Sequence, residues 1–493
     1  MNRLKNVWLL LVLLVGFAAC SDDQNDAQVV LSTQEVDLAV DGGTATFTVQ
    51  TLGDWTIETD GQTWYTVSPM QGSGAAEVTV TAEASTEVAS RSANLIVRCG
   101  SSSATLVLTQ IGTSNPADPS NQEISIRAKG GDKEIVLPSN DGYSVVIPSD
   151  ASWLTVKEEK TGSVVLTAAA YDSASENRTA EVTVNNTDGS RLATLTVTQS
   201  WRNVEPGELL IQEIFLTSNL IAETGKTDSR NMEQYFILTN NTDEELEIGG
   251  VAICESAITS QSSTQSNFAW DPDRRDEVAA IQSMYVIPKD QGKHTLAAHE
   301  SVLIVNNAQN YKESNTSSFD LSGADFEWFN ETTNTSFMDV DNPDVPNLDV
   351  WISNTITIYV LNVQMNRGYL IASLPSNLTA TDFVDASDYV WSGTRSWTVT
   401  SSGRDFSTAF NYQYVPNDWV LDAVVVATQE SGVDSNPFSL SLDAGFTYCA
   451  TSSSDETRYG KSMIRKKNDD GTLVDSNNST NDFEPAATAS LAQ

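Results

Sequence analysis

The phrases ATLVLTQ (104–110) and ATLTVTQ (193–199) are one short strand written twice. Leu106 and Leu108 in the first, and Leu195 and Val197 in the second, are separated by single Thr or Val residues. That period of two places Leu, Val and the closing Gln on one face of a β-strand. The repeat extends backwards from these phrases: RSANLIV (91–97) matches RTAEVTV (178–184), and WYTVSP (64–69) matches WLTVKE (153–158). Trp64 recurs as Trp153, Arg91 as Arg178 and Gln110 as Gln199 at a nearly constant offset, so the segments are tandem domains. Turn residues such as DGG, GSG and NTDGS interrupt the alternation at strand-length intervals. Each unit of about 90 residues therefore reads as an immunoglobulin-like sandwich, with Trp64 and Trp153 as buried core tryptophans.

The order of Trp, Arg and terminal Thr-Gln, met twice, resembles the BACON domain, a Bacteroidetes-associated, often N-terminal module named for carbohydrate binding. The resemblance covers 29–112 and 121–203, with SNPADPSNQ marking a linker at 113–120. It implies a carbohydrate-binding role, or a spacer role where no cluster of exposed aromatics is present to stack on sugars.

Upstream, Arg3 and Lys5 precede nine apolar residues, Val7–Val15, well short of the ~20 that span a bilayer. This is the core of a signal peptide, 1–19. Ala18-Ala19-Cys20 resembles the lipobox of bacterial lipoproteins, with Phe17 where Leu is usual, and implies palmitate on Cys20. The acidic tether, 20–28, contains SDDQND, which cannot bury itself. It is similar to the export signal that sends Bacteroidota lipoproteins to the outer face of the outer membrane. The expected location is thus lipid-anchored on the outer membrane, exposed at the cell surface.

With 27 Lys plus Arg against 66 Asp plus Glu, the formal net charge is −39. A surface of that sign excludes nucleic acid as a partner. Cys99, Cys254 and Cys449 have no metal-ligand spacing; Cys254 and Cys449 fall in one domain and leave pairing open.

Residues 205–493 are too long for a third copy. Their opening, GELLIQEIFLTSN and QYFILTNNTDEELEIGGVAI, and their closing run, YGKSMIRKKNDDGTLVDSNNSTNDF, resemble a lamin-tail-type sandwich. They are also similar to an uncharacterised domain of Bacteroidota surface lipoproteins. The closing motif comprises Gly460, Ser462, Arg465, Asp475, Asn477, Asn478, Ser479, Asp482 and Phe483, residues suited to capping tight turns. Residues 306–417 have no counterpart in that pattern and are expected as an insertion or an elaborated sheet. The fold class expected is all-β: tandem immunoglobulin-like sandwiches followed by a larger lamin-tail-like sandwich.

The only histidines are His294 and His299, and no H-E-x-x-H, G-x-S-x-G or P-loop pattern occurs. No enzyme is expected. DVDNPDVPNLD (339–349) offers Asp339, Asp341 and Asp344 as oxygen ligands for calcium, without the glycine of an EF-hand loop. DYVWSGTRSWTV (388–399) supplies Trp391, Arg395 and Trp397, and FEWFNE adds Trp328, the material of a sugar platform. Trp391 and Trp397, six apart, share a face if the strand is continuous. The expected function is non-catalytic binding of a polar extracellular ligand, a glycan, as accessory to an outer-membrane uptake system. The alternative is a structural or adhesive protein whose C-terminal domain docks another protein, with the repeats as spacers.

Overall fold

The computed structural model describes residues 29–492, except 34, 39–41, 52, 60, 86–90, 101, 111–120, 139–141, 173–174, 227–232, 263, 335–338 and 356. Cys20, the signal segment, the acidic tether and the 113–120 linker lie outside the described residues. Contacts divide the chain into two compact units, Met1–Asn121 and Gln122–Gln493.

The first unit is a sandwich. A four-stranded sheet runs Val30–Leu31, Gly43–Gln50, Ala76–Ala82, Tyr65–Ser68; a five-stranded sheet runs Glu35–Leu38, Ser102–Gln110, Arg91–Cys99, Asp54–Thr59, Gln71–Ser73. All pairs are antiparallel except Glu35–Leu38, which lies parallel to Val107–Gln110. Gln110 is buried on the same face, and the period-two phrase packs Leu106 and Leu108 against Phe47, Val49, Val78, Leu95 and Val97. Each such side chain contributes roughly 1.5–3 kcal/mol on leaving water. The central tryptophan is Trp55, whose Nε1 donates to the Gly74 carbonyl (3.0 Å).

In the second unit the repeat builds the same sandwich, with strands Asn121–Ile126, Arg191–Gln199, Arg178–Asn186 and Tyr143–Val146 over Gly131–Val136, Ser163–Ala168 and Leu154–Lys160. It packs directly on the large domain. Arg127 grips Glu208 with two hydrogen bonds (2.5 and 2.9 Å), Ser373 donates to the Val204 carbonyl (3.0 Å), and Trp201 packs against Trp419.

The large domain is also a sandwich. A six-stranded sheet contains Phe326–Glu327, Ser301–Val305, Tyr235–Asn240, Leu209–Phe215, Lys461–Arg465 and Phe483–Thr488 in spatial order. The facing eight-stranded sheet runs Gln265–Asp271, Val390–Val399, Arg404–Pro416, Val278–Val286, Val251–Ser256, Gly368–Ser373 and Val420–Val425, with Asp349–Ile352 added on Val278–Val286. Ile211, Phe236 and Met463 meet Ile253, Tyr285, Tyr369 and Val424 between them. Second clusters cover the outer faces, around Phe215 and Phe319 on one side and Cys254, Phe383 and Trp419 on the other. This two-sided burial explains why Leu209–Ile211 and Tyr235–Leu238 are apolar at consecutive positions rather than alternating ones. Of the two expectations for 306–417, an insertion or an elaborated sheet, the strand pairing fits the second. Gly368–Ser373 pairs with Val251–Ser256 and Val420–Val425 inside the sheet, so this region builds the sandwich instead of decorating it.

The closing motif joins the two sheets through Arg465. Its Nε donates to Ile211 O (2.9 Å), Nη1 to Val474 O (3.0 Å) and Nη2 to Asp422 (2.5 Å), and the guanidinium lies over Phe483. Asp475 and Asp482 stand at 3.6 and 3.7 Å. Burial pushes Asp422 up to about 6; Arg465 opposes the rise and the charge on Asp475 adds to it. Burial also raises Glu255 and Asp443.

A carboxyl raised in the fold keeps its proton where the unfolded chain, near 4, has lost it. Its stabilisation is complete below about pH 4 and is lost as the pH rises through about 6. Asp455 works the other way. Hydrogen bonds led by the Thr451 amide hold it at about 2, so its contribution is lost as the pH falls from about 4 toward 2. Calorimetry should therefore find the melting temperature rising between pH 8 and pH 5 and falling again in stronger acid. Asp422→Asn should flatten the first change. A melting temperature climbing steadily from pH 5 to 8 would contradict this assignment.

Candidate functional site

The repeated signature is a structural clamp. In the first sandwich Arg91 donates from Nε and Nη2 to Gln110 Oε1 (3.0 and 2.8 Å) while lying 4.7 Å above the Trp64 ring. Gln110 is fully buried, and its Nε2 donates to the Glu83 carbonyl (2.8 Å). In the second, Arg178 holds Gln199 Oε1 (3.0 and 2.7 Å), with Trp153 at 4.5 Å and Tyr171 at 4.1 Å. Gln199 passes the link to the Ala169 carbonyl (2.9 Å). Trp64 and Trp153 are thus half-buried beneath arginines, not core tryptophans as expected, because each must leave one face to a guanidinium. That face is not open to a sugar.

In the large domain, Val390–Val399 and Arg404–Pro416 form a long hairpin. Only Gln413–Pro416 of the second strand pair with Val278–Ile281; Arg404–Tyr412 pair with the first strand alone. The hairpin and the adjacent Gln265–Asp271 strand therefore carry a face beyond the rest of the sheet. On it the register aligns Trp391 with Tyr412, Trp397 with Phe406, and Trp270 with Arg395. Continuity of the strand holds as expected, but exposure does not follow. Trp391 is 1 % exposed, packed among Trp270, Phe410 and Tyr414, with Nε1 donating to Pro272 O (3.0 Å). It offers no face to a ligand, and its place in the expected platform is corrected accordingly. Trp328 is likewise in the core, its Nε1 on Tyr359 O (3.3 Å).

Trp397 and Arg395 remain. Arg395 lies 4.8 Å from the Trp397 ring and 5.6 Å from Trp270, and its Nε has no hydrogen-bond partner. Phe406 stacks nearly parallel to Trp397 (17°, centroids 6.1 Å apart) and is 47 % exposed, the one aromatic among the exposed large hydrophobic residues described. Sequence reading missed Phe406. The TSSG turn (400–403) carried the signal, since folding the chain back there sets Phe406 opposite Trp397.

The described residues do not bring the expected calcium ligands together. Asp339 is buried, accepting from Asn307 Nδ2 (2.6 Å) and Asn330 N (2.9 Å); Asp341 accepts from Asn347 (2.8 Å). Among the described residues no group of three His, Cys, Asp or Glu side chains converges, Asp344 included. These carboxylates hold backbone and amide donors in place. Cys254 and Cys449 are free and buried in different clusters, and burial pushes the Cys449 thiol up to about 12.

Comparison with known proteins agrees with the resemblances drawn from the sequence. Residues 53–110 and 143–200 match the BACON family, described as a putative binding domain, N-terminal. Residues 299–490 match the DUF4876 family, a protein of unknown function. The chain thus resembles the BACON family twice in tandem and an uncharacterised family after it, and neither is a known catalytic one. A crystal structure of a DUF4876 family protein from Bacteroides thetaiotaomicron is 18 % identical, covering 75 % of this chain and 95 % of that one, with a TM-score of 0.45. A Bacteroides ovatus GH5 xyloglucanase in complex with a heptasaccharide is 18 % identical over 26 % of this chain and 29 % of its own, with a TM-score of 0.17. No curated protein matches the chain.

Because the clamp is structural, Arg178→Met should lower the stability of the second sandwich by about 1–3 kcal/mol, leaving the buried Gln199 oxygen without its donors. Urea unfolding followed by Trp153 fluorescence reads this. An unchanged midpoint would return the arginine to a ligand-contacting role.

Proposed function

We propose that this chain is a non-catalytic binding protein, anchored by lipid on Cys20 to the outer face of the outer membrane, whose large domain captures a glycan for an uptake system. The observation that carries the reading is the projecting hairpin face, where Phe406 and half-exposed Trp397 present nearly parallel rings beside Arg395. Rings of this kind stack on the apolar faces of sugars, and a guanidinium edge supplies directed donors to hydroxyl oxygens. The BACON match supports carbohydrate binding as the class. The clamped Trp64 and Trp153 favour a contact on the large domain over one on the repeats.

A second reading has its own support. Residues Arg404–Ala409 are exposed, and among the described residues no strand pairs along their outer side. A free edge of this kind can accept a strand from another protein.

The mature chain should bind at least one member of a panel of soluble polysaccharides. Trp397→Ala and Phe406→Ala should each weaken binding about tenfold, ~1.4 kcal/mol, with circular dichroism unchanged. Binding to a solubilised outer-membrane protein, with no glycan signal, would select edge docking and end the glycan reading. Separately, Cys20→Ala should abolish metabolic palmitate labelling and release the protein from the membrane fraction; retention there without label would refute the lipid anchor.

A further inference from the structure

Two stretches unused by the hairpin site, LEIGG (246–250) and SWRNV (200–204), meet where the second sandwich packs on the large domain. They line a cavity of about 270 Å³, together with Lys129, Lys289, Ser373 and Ser376. In a chain of net charge −39 its charged lining is three cations, Lys129, Arg202 and Lys289, against one carboxylate, Glu247.

The cations are poorly neutralised. Arg202 lies over the Trp201 ring at 4.2 Å with its side chain 11 % exposed, and its Nε and Nη1 make no hydrogen bond. The Glu205 carboxylate stands 3.4 Å from Nε, but its Oε1 accepts the Ser200 hydroxyl (2.5 Å); Asp418 is the other carboxylate acting on Arg202. Lys289 donates to the neutral Ser376 carbonyl (2.8 Å). Lys129 is 3.8 Å from Glu245, beyond hydrogen-bond range.

The glycine pair sets this arrangement. Gly250 has φ +87°, and a Cβ there would come within 3.0 Å of Lys289 Cε; one on Gly249 would come within 2.9 Å of Lys289 Cα. The lysine stem crosses the turn where side chains are missing and carries its ammonium to the cavity wall. Val204, Val251 and Leu374 supply an apolar lining beside the cations.

A cavity wall with three cations and one carboxylate calls for an anionic partner. An arginine fork suits a planar oxyanion, and the volume, below the ~300–1,000 Å³ of sites for drug-sized molecules, admits one small group. We propose that this cavity binds a carboxylate carried by a small sugar, the acidic end of a uronate-containing glycan. The oxyanion site stands on the cavity alone; that a sugar carries the anion rests on the glycan reading above.

Calorimetric titration of the mature chain with glucuronate, glucose, acetate and inorganic sulfate separates the two. Glucuronate should bind, more weakly as salt is raised, and glucose should not. Lys289→Gln, at an exposed position, and Arg202→Lys, which keeps the charge but loses the fork, should each weaken glucuronate about tenfold. Acetate or sulfate binding as tightly as glucuronate would overturn the sugar assignment while leaving an oxyanion site. Absence of binding by every anion, or binding undiminished in both variants, would overturn the site itself.

Discussion

A single buried guanidinium, that of Arg465, ties the large domain together. Charge cannot be buried without partners, and this one has them on every side: carbonyls from the domain's first strand and from its closing turn, Asp422 from the opposite sheet, and the Phe483 ring beneath. The last strands are thereby fixed to the first, and the six-stranded sheet to the eight-stranded one. The eight-stranded sheet in turn holds the hairpin that carries Trp397 and Phe406. The local turn is set by the same motif. Asn478 caps the short helix Ser479–Asp482, and Asp482 takes the Ser476 and Asn478 amides.

The same chemistry recurs on a smaller scale in each repeat, where an arginine lies on a tryptophan and donates twice to a buried glutamine. Several of the chain's few cations are therefore placed at internal junctions, at Arg91, Arg127, Arg178 and Arg465, while carboxylates dominate the surface. At long range the protein repels anions. An anionic group is accommodated only where cations outnumber carboxylates locally, as around Lys129, Arg202 and Lys289.

How much was legible differs by feature. The repeat, the all-β class, the two sandwiches and the structural character of the closing motif could be read directly, because turn residues and period-two alternation act between neighbours in the chain. The 306–417 region could not. Its strands have both faces covered, so the alternation that marks a half-buried strand is missing, and their partners, such as Val251–Ser256 for Gly368–Ser373, are distant in sequence.

The site divides along the same line. That Trp391, Arg395 and Trp397 lie on one face of a strand followed from their spacing. Which of the rings meets solvent did not. Trp391 is closed off by Trp270 and by the carbonyl of Pro272, residues more than a hundred positions earlier, whereas Trp397 lies toward the hairpin end, where no strand among the described residues flanks Phe406 on its outer side. The sequence by itself determined the repeated sandwiches, the acidic surface and the residue types available for binding. The tertiary structure decided exposure, because exposure is a property of what long-range packing leaves uncovered and not of any residue or its neighbours in the chain.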